Sequence, residues 1–282
     1  MGSVPTRGGD RAKREYLLGA SESEQARLDA QSALLAMPTK LFLHRAGIAP
    51  GMRVLDLGTG LGDVAFQVSE VVGPTGAVVA IDESPAMLAV AEQRSVAAGV
   101  RNVRFVEANA RTFRDADAFD AVVGRLIWCY LPDSTEVVRH HLGGLAGDGV
   151  MLLIDQDVGT VRSEPRVPLM DAALYWGVES HLRTGADPMI GARLALILQD
   201  AGLTDVETFG IQEYLSPDDP AGPALVSGIV HTLAPALVAG SIATEEELAL
   251  DTFEERLRHQ LQSSRAVLLV PSVVGAWGRR GA

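Results

Sequence analysis

Three glycines at alternate positions follow an aspartate that ends an apolar run, in the stretch VLDLGTGLGD. Gly58, Gly60 and Gly62 have no side chain, so the backbone there can adopt positive φ angles and approach a ligand closely. Apolar residues at helical spacing come next, and the N–H groups that begin such a helix are free to donate hydrogen bonds. The stretch therefore predicts a ligand-binding turn between a buried strand and a helix. The simpler alternative is a tight turn in which the glycines are incidental.

Two carboxylates in this stretch indicate the charge of that ligand. The dinucleotide fingerprint G-x-G-x-x-G would require a glycine where the chain has Asp63. A carboxylate there would repel a pyrophosphate, and Asp56 at the strand end acts in the same direction. The crevice is therefore predicted to accept positive charge rather than a diphosphate. This disfavours an NAD-dependent oxidoreductase, which remains an alternative.

Histidines are the candidates for a general base, which is required only if the reaction must remove a proton. Two of the six lie in segments outside the regular pattern: His181, close in sequence to Trp176, and His231. His181 is our candidate catalytic residue and His231 is its alternative, while a packed or solvated histidine is the competing interpretation of both. No cluster has metal-ligand spacing, and one cysteine, Cys129, excludes an intramolecular disulfide framework.

The elements that must position these residues alternate along the chain. Strands are predicted at 53–57, 77–82, 103–108, 119–125, 149–157, 206–215 and 266–280. Helices are predicted at 63–72, 84–99, 133–146 and 191–202. Alternation implies right-handed crossovers and helices on both faces of a sheet. We therefore predict an α/β fold: a doubly wound, Rossmann-like, mostly parallel seven-stranded sheet.

The segments outside this alternation are predicted to form a lid and a cap. Residues 1–46 are interpreted as an N-terminal tail and helical lid, in which Pro38 should kink or split the helix. Residues 47–282 are the main domain, with inserts at about 158–190 and 216–264 that form a helical cap. Apolar cap residues should either line a substrate site or pack the core of the cap: Met170, Leu174, Tyr175, Trp176, Met189, Ile229 and Leu233.

Composition narrows the partners. The net charge is −12, from 24 basic and 36 acidic residues, and such a surface repels phosphate backbones. By our interpretation no apolar run approaches the ~20 residues needed to cross a bilayer, and the polar N-terminal residues lack the apolar core of a secretion signal. We therefore expect a cytoplasmic protein with a small-molecule substrate, without a nucleic-acid or membrane partner. A homodimer is left open.

Taken together, the motifs resemble the class I S-adenosylmethionine-dependent methyltransferases. VLDLGTGLGD, VVAIDESPAML, VRFVEANA and FDAVVGRLIWCYLPD occur in the order and spacing of that family, over about residues 50–160. The chain is most similar to the small-molecule, natural-product type of bacterial enzyme. The resemblance implies S-adenosylmethionine as cofactor and methyl transfer to a small, apolar or aromatic compound of secondary metabolism. A relative that binds the cofactor without methylating is the alternative.

The resemblance also implies roles for residues at matching positions. Asp56 and the glycine turn match the motif that surrounds the methionine half of the cofactor, and Asp82 matches the acidic residue that takes the two ribose hydroxyls. Tyr16 would either fold over the cofactor or pack in a helix. The implied cofactor-binding set is Tyr16, Asp56, Gly58, Thr59, Gly60, Gly62, Asp82, Glu83, Met87, Asn109, Ala110 and Arg125.

Within that set, five residues are expected to contact the adenosine part or the methionine part of the cofactor. Glu83 and Met87 are expected to flank the ribose and adenine, and Asn109 with Ala110 to meet the adenine amino group. Many relatives have aspartate where this chain has Asn109, which keeps an acceptor oxygen but loses the charge. Arg125 follows the fourth strand, where backbone groups contact the methionine half, and its side chain belongs either to the site or to the surface.

Overall fold

The computed structural model describes residues 35–281. The strands are β1 (Arg53–Leu57), β2 (Ala77–Asp82), β3 (Val103–Glu107), β4 (Phe119–Arg125), β5 (Leu145–Asp157), β6 (Arg162–Glu164), β7 (Thr204–Ile211), β8 (Tyr214–Leu215), β9 (Val267–Leu269) and β10 (Ser272–Arg279). Seven of them form one sheet in the order β3-β2-β1-β4-β5-β10-β7. β10 is antiparallel to both of its neighbours, and the other pairs are parallel. The predicted doubly wound, mostly parallel seven-stranded sheet is confirmed.

Helices cover both faces of this sheet. They are α1 (described over 35–45), α2 (Asp63–Val72), α3 (Pro85–Ala97), α4 (Ser134–Leu142), α5 (Pro168–Thr184), α6 (Leu194–Ala201), α7 (Ala221–Ala239), α8 (Glu245–Leu248) and α9 (Leu250–Ser264). Alternation along β1 sends Leu55 and Leu57 into a core with α4 and α6, and Val54 into a core with α1 and α2. Asp56, two residues after Val54, therefore points to the face covered by α1 and α2.

The predicted cap is a third core built beside the sheet. It combines α5, α7, α8 and α9 with a small antiparallel sheet in the order β6-β9-β8. The rings of Trp176 and Phe253 lie 6.3 Å apart in its centre. Met170, Trp176 and Leu233 are buried in this core, whereas Tyr175 is 57% exposed. Part of the apolar set thus packs the cap itself. The insert at about 158–190, predicted as part of a helical cap, contains the 17-residue helix α5.

Two predicted strands are each divided between the two sheets. The segment 206–215 becomes β7 and β8, and 266–280 becomes β9 and β10. Pro271, which has no N–H to donate to a ladder, lies between β9 and β10. Gln212 lies between β7 and β8, and its Nε2 donates to the carbonyl oxygens of Thr160 and Val270 at 3.0 Å each. Both chain segments therefore change sheet at the same place.

Pro38 lies inside the described part of α1, which continues past it, so the expected split of this helix is wrong. A second expectation is corrected by α7. α7 has 19 residues and is apolar enough to cross a membrane by length and composition, contrary to the expectation that no run approaches that length. This is weak evidence for a span, because α7 packs against α5 and α9 and gives Val226, Val230 and Leu237 to the core of the cap.

Replacing the buried ring at the centre of the cap should destabilise the protein. Phe253 is fully buried, so Phe253→Ala is expected to lower the free energy of unfolding by about 3–5 kcal/mol in urea titrations. Tyr175→Ala on α5 is the control, because that side chain is mostly exposed and its loss should change the free energy by less than ~0.5 kcal/mol. Equal losses in the two variants would contradict the assignment of this core.

Candidate functional site

The glycine turn between β1 and α2 combines two tightly packed glycines with one that faces open space. All three have positive φ angles: 67° at Gly58, 53° at Gly60 and 87° at Gly62. A Cβ atom would lie 2.7 Å from Ile127 at the first position and 2.8 Å from the Phe66 ring at the third, but would meet nothing within 4 Å at Gly60. The fold itself thus requires Gly58 and Gly62, and Gly60 leaves room for a ligand.

The carboxylate of Asp82 at the end of β2 holds this turn in place. Its Oδ2 accepts a hydrogen bond from the Gly60 N–H at 2.9 Å, and its Oδ1 accepts one from the Ser84 N–H at 2.9 Å. Asp82 is buried, and each oxygen keeps a lone pair for a further donor. Ser84 in turn caps α3, since its Oγ accepts from the Met87 N–H at 3.4 Å. Asp82 therefore positions the turn as well as offering the acceptor that the sequence predicted.

Asp56 at the end of β1 is buried, and its carboxylate is only weakly compensated. The residue is 1% exposed, and neither carboxyl oxygen accepts a hydrogen bond of ordinary geometry in the described part of the chain, although the Thr59 hydroxyl and the Ala65 N–H lie close enough to favour its ionised form. Burial raises the pKa of Asp56 to about 7, against the opposing effects of the Thr59 hydroxyl and of Arg125. The Thr59 Oγ is also buried without a hydrogen-bond partner among these residues. Orphaned acceptors of this kind fit a ligand that brings a cationic donor, such as an ammonium group.

Arg125 at the end of β4 joins the crevice to α1. Its Nη1 donates to the Oγ of Thr39 at 3.1 Å, and Thr39 is fully buried. Burial lowers the pKa of Arg125, while the carboxylates of Asp63 and Asp56 oppose that change. The alternative that this side chain is a simple surface cation is wrong.

Asp63 does not contribute the free negative charge that the sequence suggested. Its Oδ1 accepts a hydrogen bond from Arg94 on α3 at 2.8 Å, and the same guanidinium donates to the Leu61 carbonyl at 2.8 Å. The charge of Asp63 is thus compensated. A diphosphate ligand is therefore disfavoured by the negative charge of Asp56 rather than by that of Asp63.

The segment after β3 is held by side-chain hydrogen bonds at Asn109. Its Oδ1 accepts from the Arg111 N–H at 2.7 Å, and its Nδ2 donates to the Glu83 carboxylate. The acceptor oxygen expected to meet adenine therefore also fixes the local turn, with one lone pair remaining. Glu83 is exposed, and Met87 is half-buried at the start of α3. The structure thus brings the predicted ribose and adenine residues to adjacent strand ends.

Two histidines that the sequence analysis gave no role brace this segment from α4. The Nε2 of His141 lies 2.6 Å from the carbonyl oxygen of Ala110, and the Nε2 of His140 lies 3.0 Å from that of Phe113. Burial lowers the pKa of His141 to about 4, so its imidazole is neutral at pH 7 and donates to the carbonyl. In the sequence, only the occurrence of two consecutive histidines in the predicted helix 133–146 pointed to this role.

Asp155 near the end of β5 is a third buried carboxylate that the sequence analysis missed. Its Oδ2 accepts from the Cys129 N–H at 3.2 Å and its Oδ1 from the Gln156 N–H at 2.8 Å, which fixes the turn after β4. Burial raises the pKa of Asp155 to about 7 and also raises the pKa of the Cys129 thiol. The signal was the same as at Asp56 and Asp82: an aspartate that follows an apolar strand.

The two histidines predicted as bases stay within their own helices. The Nδ1 of His181 lies 2.7 Å from the Gly177 carbonyl oxygen in α5, and that of His231 lies 2.8 Å from the Ser227 carbonyl oxygen in α7. No hydrogen bond or ion pair in the described part links either to the glycine turn. Tyr16 lies outside the described residues. Within residues 35–281 no group of three His, Cys, Asp or Glu side chains could hold a metal ion.

Comparisons with known proteins agree with this geometry. Residues 48–179 match the family model described as a methyltransferase domain. A ubiquinone/menaquinone biosynthesis C-methyltransferase of Ectopseudomonas mendocina is 43% identical over 130 residues, which cover 45% of this chain and 48% of that protein. Over residues 48–179, which are less than half of the chain, the sequence is thus similar to methyltransferases. It spans about half the length of the curated relatives that it matches.

Solved structures share the fold of this chain. YcgJ of Bacillus subtilis aligns with a TM-score of 0.59 and 19% identity, covering 86% of this chain and 98% of that chain. The [4+2]-cyclase SpnF aligns with a TM-score of 0.52 and 18% identity, covering 87% of this chain and 81% of that chain. At these identities the likeness concerns the fold alone.

The raised pKa of Asp56 predicts a pH dependence of stability in the ligand-free protein. Because the folded protein binds this proton more tightly than the unfolded chain, the free energy of unfolding should fall as pH rises from about 4 to about 7. Asp56→Asn cannot ionise and should escape this loss. Between pH 5 and pH 8 the variant should gain up to about 3 kcal/mol relative to wild type in urea titrations. The exposed Asp200→Asn is the control, and a gap between Asp56→Asn and wild type that is the same at both pH values would contradict this assignment.

Proposed function

We propose that this protein binds S-adenosylmethionine and transfers its methyl group to a small, apolar or aromatic metabolite. The observation that carries the proposal is the orphaned carboxylate of Asp56 beside the open space at Gly60. The ammonium group of the methionine half would satisfy that carboxylate, and its charge would favour the ionised form. The hydroxyl of Thr59 offers a second polar contact at the same place.

The ribose of the cofactor would bind at Asp82. Two backbone N–H groups already fix this carboxylate, so little conformational freedom is lost when the ribose hydroxyls donate to its remaining lone pairs. The adenine would lie between Met87 and the segment at Asn109 and Ala110, which His141 holds against α4.

Methyl transfer requires the protein to orient the two reactants and to exclude water. When bound, S-adenosylmethionine supplies a methyl group on a sulfonium whose sulfur leaves as a neutral thioether. The chain contributes proximity, orientation and exclusion of water. His181 remains our proposal for a base if the acceptor must lose a proton. Its Nδ1 is used within α5, so its Nε2 is the nitrogen that would take the proton.

The substrate class and the location are inferred from the relatives and from the net charge. The relatives named for quinone biosynthesis are C-methyltransferases, which agrees with a small apolar acceptor. The net charge of −12 favours such an acceptor over nucleic acid. We accordingly propose a cytoplasmic enzyme of small-molecule metabolism.

Cofactor binding is tested by thermal unfolding with S-adenosylhomocysteine and with NAD. At 100 times the Kd, S-adenosylhomocysteine should stabilise the protein by ~2.7 kcal/mol and raise Tm by roughly 5–11 °C. NAD at the same concentration should leave Tm unchanged. A shift with NAD and none with S-adenosylhomocysteine would overturn the proposal in favour of the oxidoreductase.

A substitution at Gly60 tests whether the turn contacts the cofactor. Gly60→Val places a branched side chain in the open space and should abolish the Tm shift with S-adenosylhomocysteine. Gly99→Val is the matched control, because Gly99 also has a positive φ, 68°, and no atom within 4 Å of an added Cβ. Both variants should lose similar stability, about 1–2 kcal/mol. A full shift in folded Gly60→Val protein would show that the ligand lies elsewhere.

Isothermal titration separates the roles of the two strand-end carboxylates. Asp82→Ala should weaken S-adenosylmethionine and S-adenosylhomocysteine equally, by roughly 30- to 1000-fold, because both contain the ribose. Asp56→Asn keeps the shape but removes the charge, so S-adenosylmethionine, which carries the extra sulfonium, should be weakened at least as much as S-adenosylhomocysteine. Wild-type affinity in Asp82→Ala would place the ribose away from β2.

A further inference from the structure

A small cavity lies where the carboxyl ends of β5 and β7 meet the start of β10. The start of α1 and one face of α7 complete its walls, and its volume is about 100 Å³. For scale, a dry cavity of about 150 Å³ holds a benzene molecule. All of its lining residues are apolar except Gln156 and Glu213. The cavity thus takes at most one ring, and it carries a polar group at two positions.

The carboxylate of Glu213 has no partner of its own. The residue is half-buried, and its side chain makes no hydrogen bond or ion pair in the described part of the chain. Its backbone is nevertheless fixed, because its carbonyl accepts from the Val270 N–H at 3.2 Å and the preceding Gln212 bonds to two carbonyls. A positioned but unpaired carboxylate in an apolar wall favours a ligand that donates a hydrogen bond.

The amide of Gln156 is the second unused polar group in this wall. Its backbone N–H bonds to Asp155, and its side chain makes no hydrogen bond within residues 35–281. An amide both donates and accepts, so it can pair with the same substituent that Glu213 accepts from.

The cavity lies at the same edge of the sheet as the glycine turn, and α1 contributes to both places. Pro38 lines the cavity, and the next residue, Thr39, accepts the hydrogen bond from Arg125 at the end of β4. Arg125 is also close enough to Asp56 to affect its pKa. A molecule in the cavity would therefore lie at the same edge of the sheet as a cofactor bound at the glycine turn, with α1 and the end of β4 between them.

We propose that this cavity is the methyl-acceptor subsite and that Glu213 selects an acceptor with a hydroxyl or amino donor on an apolar ring. The inference rests on the proposed function and adds the recognition chemistry of the substrate. Glu213 acts here as a specificity-determining residue and takes no part in the transfer step.

Three one-ring probes test the selection in protein saturated with S-adenosylhomocysteine. p-Cresol carries a hydroxyl, benzylamine carries an ammonium group and toluene carries no donor. Titrations followed by saturation-transfer NMR should show p-cresol or benzylamine binding at least about 10-fold more tightly than toluene. The tighter of the two identifies the donor. Equal affinity for all three probes would overturn the role of Glu213, and binding of none would overturn the subsite.

Variants assign the preference to this carboxylate. Glu213→Leu should lose the preference over toluene, whereas Glu207→Leu, exposed on the neighbouring strand β7, should keep it. Glu213→Gln keeps an acceptor oxygen, so it should retain p-cresol and lose benzylamine. Loss of the preference in both leucine variants would contradict the proposal.

Filling the cavity provides a second, independent variant. Leu225→Trp should exclude all three probes while the Tm shift with S-adenosylhomocysteine persists, and unchanged probe binding would overturn the location. The Tm shift with S-adenosylhomocysteine distinguishes a failure of the proposed function from a failure of this inference. Its absence in the wild type refutes the proposed function, whereas its presence without ring selection refutes only this inference.

Discussion

The unpartnered burial of Asp56 is the constraint on which the rest of this structure depends. Keeping a carboxylate away from water without a hydrogen bond is unfavourable, and the pKa raised to about 7 reflects that cost. The neighbouring residues offset it, since Val54, Leu55 and Leu57 are all at most 1% exposed in the two cores of the sheet. Stability is thus supplied by the strand and its helices, while the strand end is left ready for a charged ligand.

The three aspartates at or near strand ends have different structural roles. Asp82 and Asp155 each accept two backbone N–H groups, and so fix the glycine turn and the turn after β4. Asp56 accepts no hydrogen bond of ordinary geometry among the described residues, and the nearby Ala65 N–H and Thr59 hydroxyl compensate it only in part. Because parallel strands place their carboxyl ends at one edge, these groups fix the turns at that edge and leave Asp56 as its least satisfied carboxylate. Fixed turns reduce the ordering cost of binding, which is what a positioned ligand requires.

The elements that were predicted correctly are those that depend on residues close together in the sequence. The bounds of β1, β2, β4 and α2 agree with the sequence, because apolar strands, glycine turns and a helix of regular period coincide there. The misses are contacts between distant residues. Arg94 neutralises Asp63 from 31 positions away, and His141 meets Ala110 across the same separation. The change of sheet at Gln212 and Pro271 likewise depends on hydrogen bonds from separate segments, which no window of sequence contains.

The titratable groups around the crevice also limit what the protein itself can do in a methyl transfer. Burial keeps the Cys129 thiol protonated and the His141 imidazole neutral, and the imidazole is engaged with the Ala110 carbonyl. Asp56 is suited to compensate a positive charge, because a cation beside it removes the penalty of burying its own. The chemistry that remains for this chain is to hold a cationic donor and a neutral acceptor together in a dry space. In the proposed function, an incoming ammonium that neutralises the buried carboxylate would accomplish the first part, and the apolar cavity beside α1 would accomplish the second.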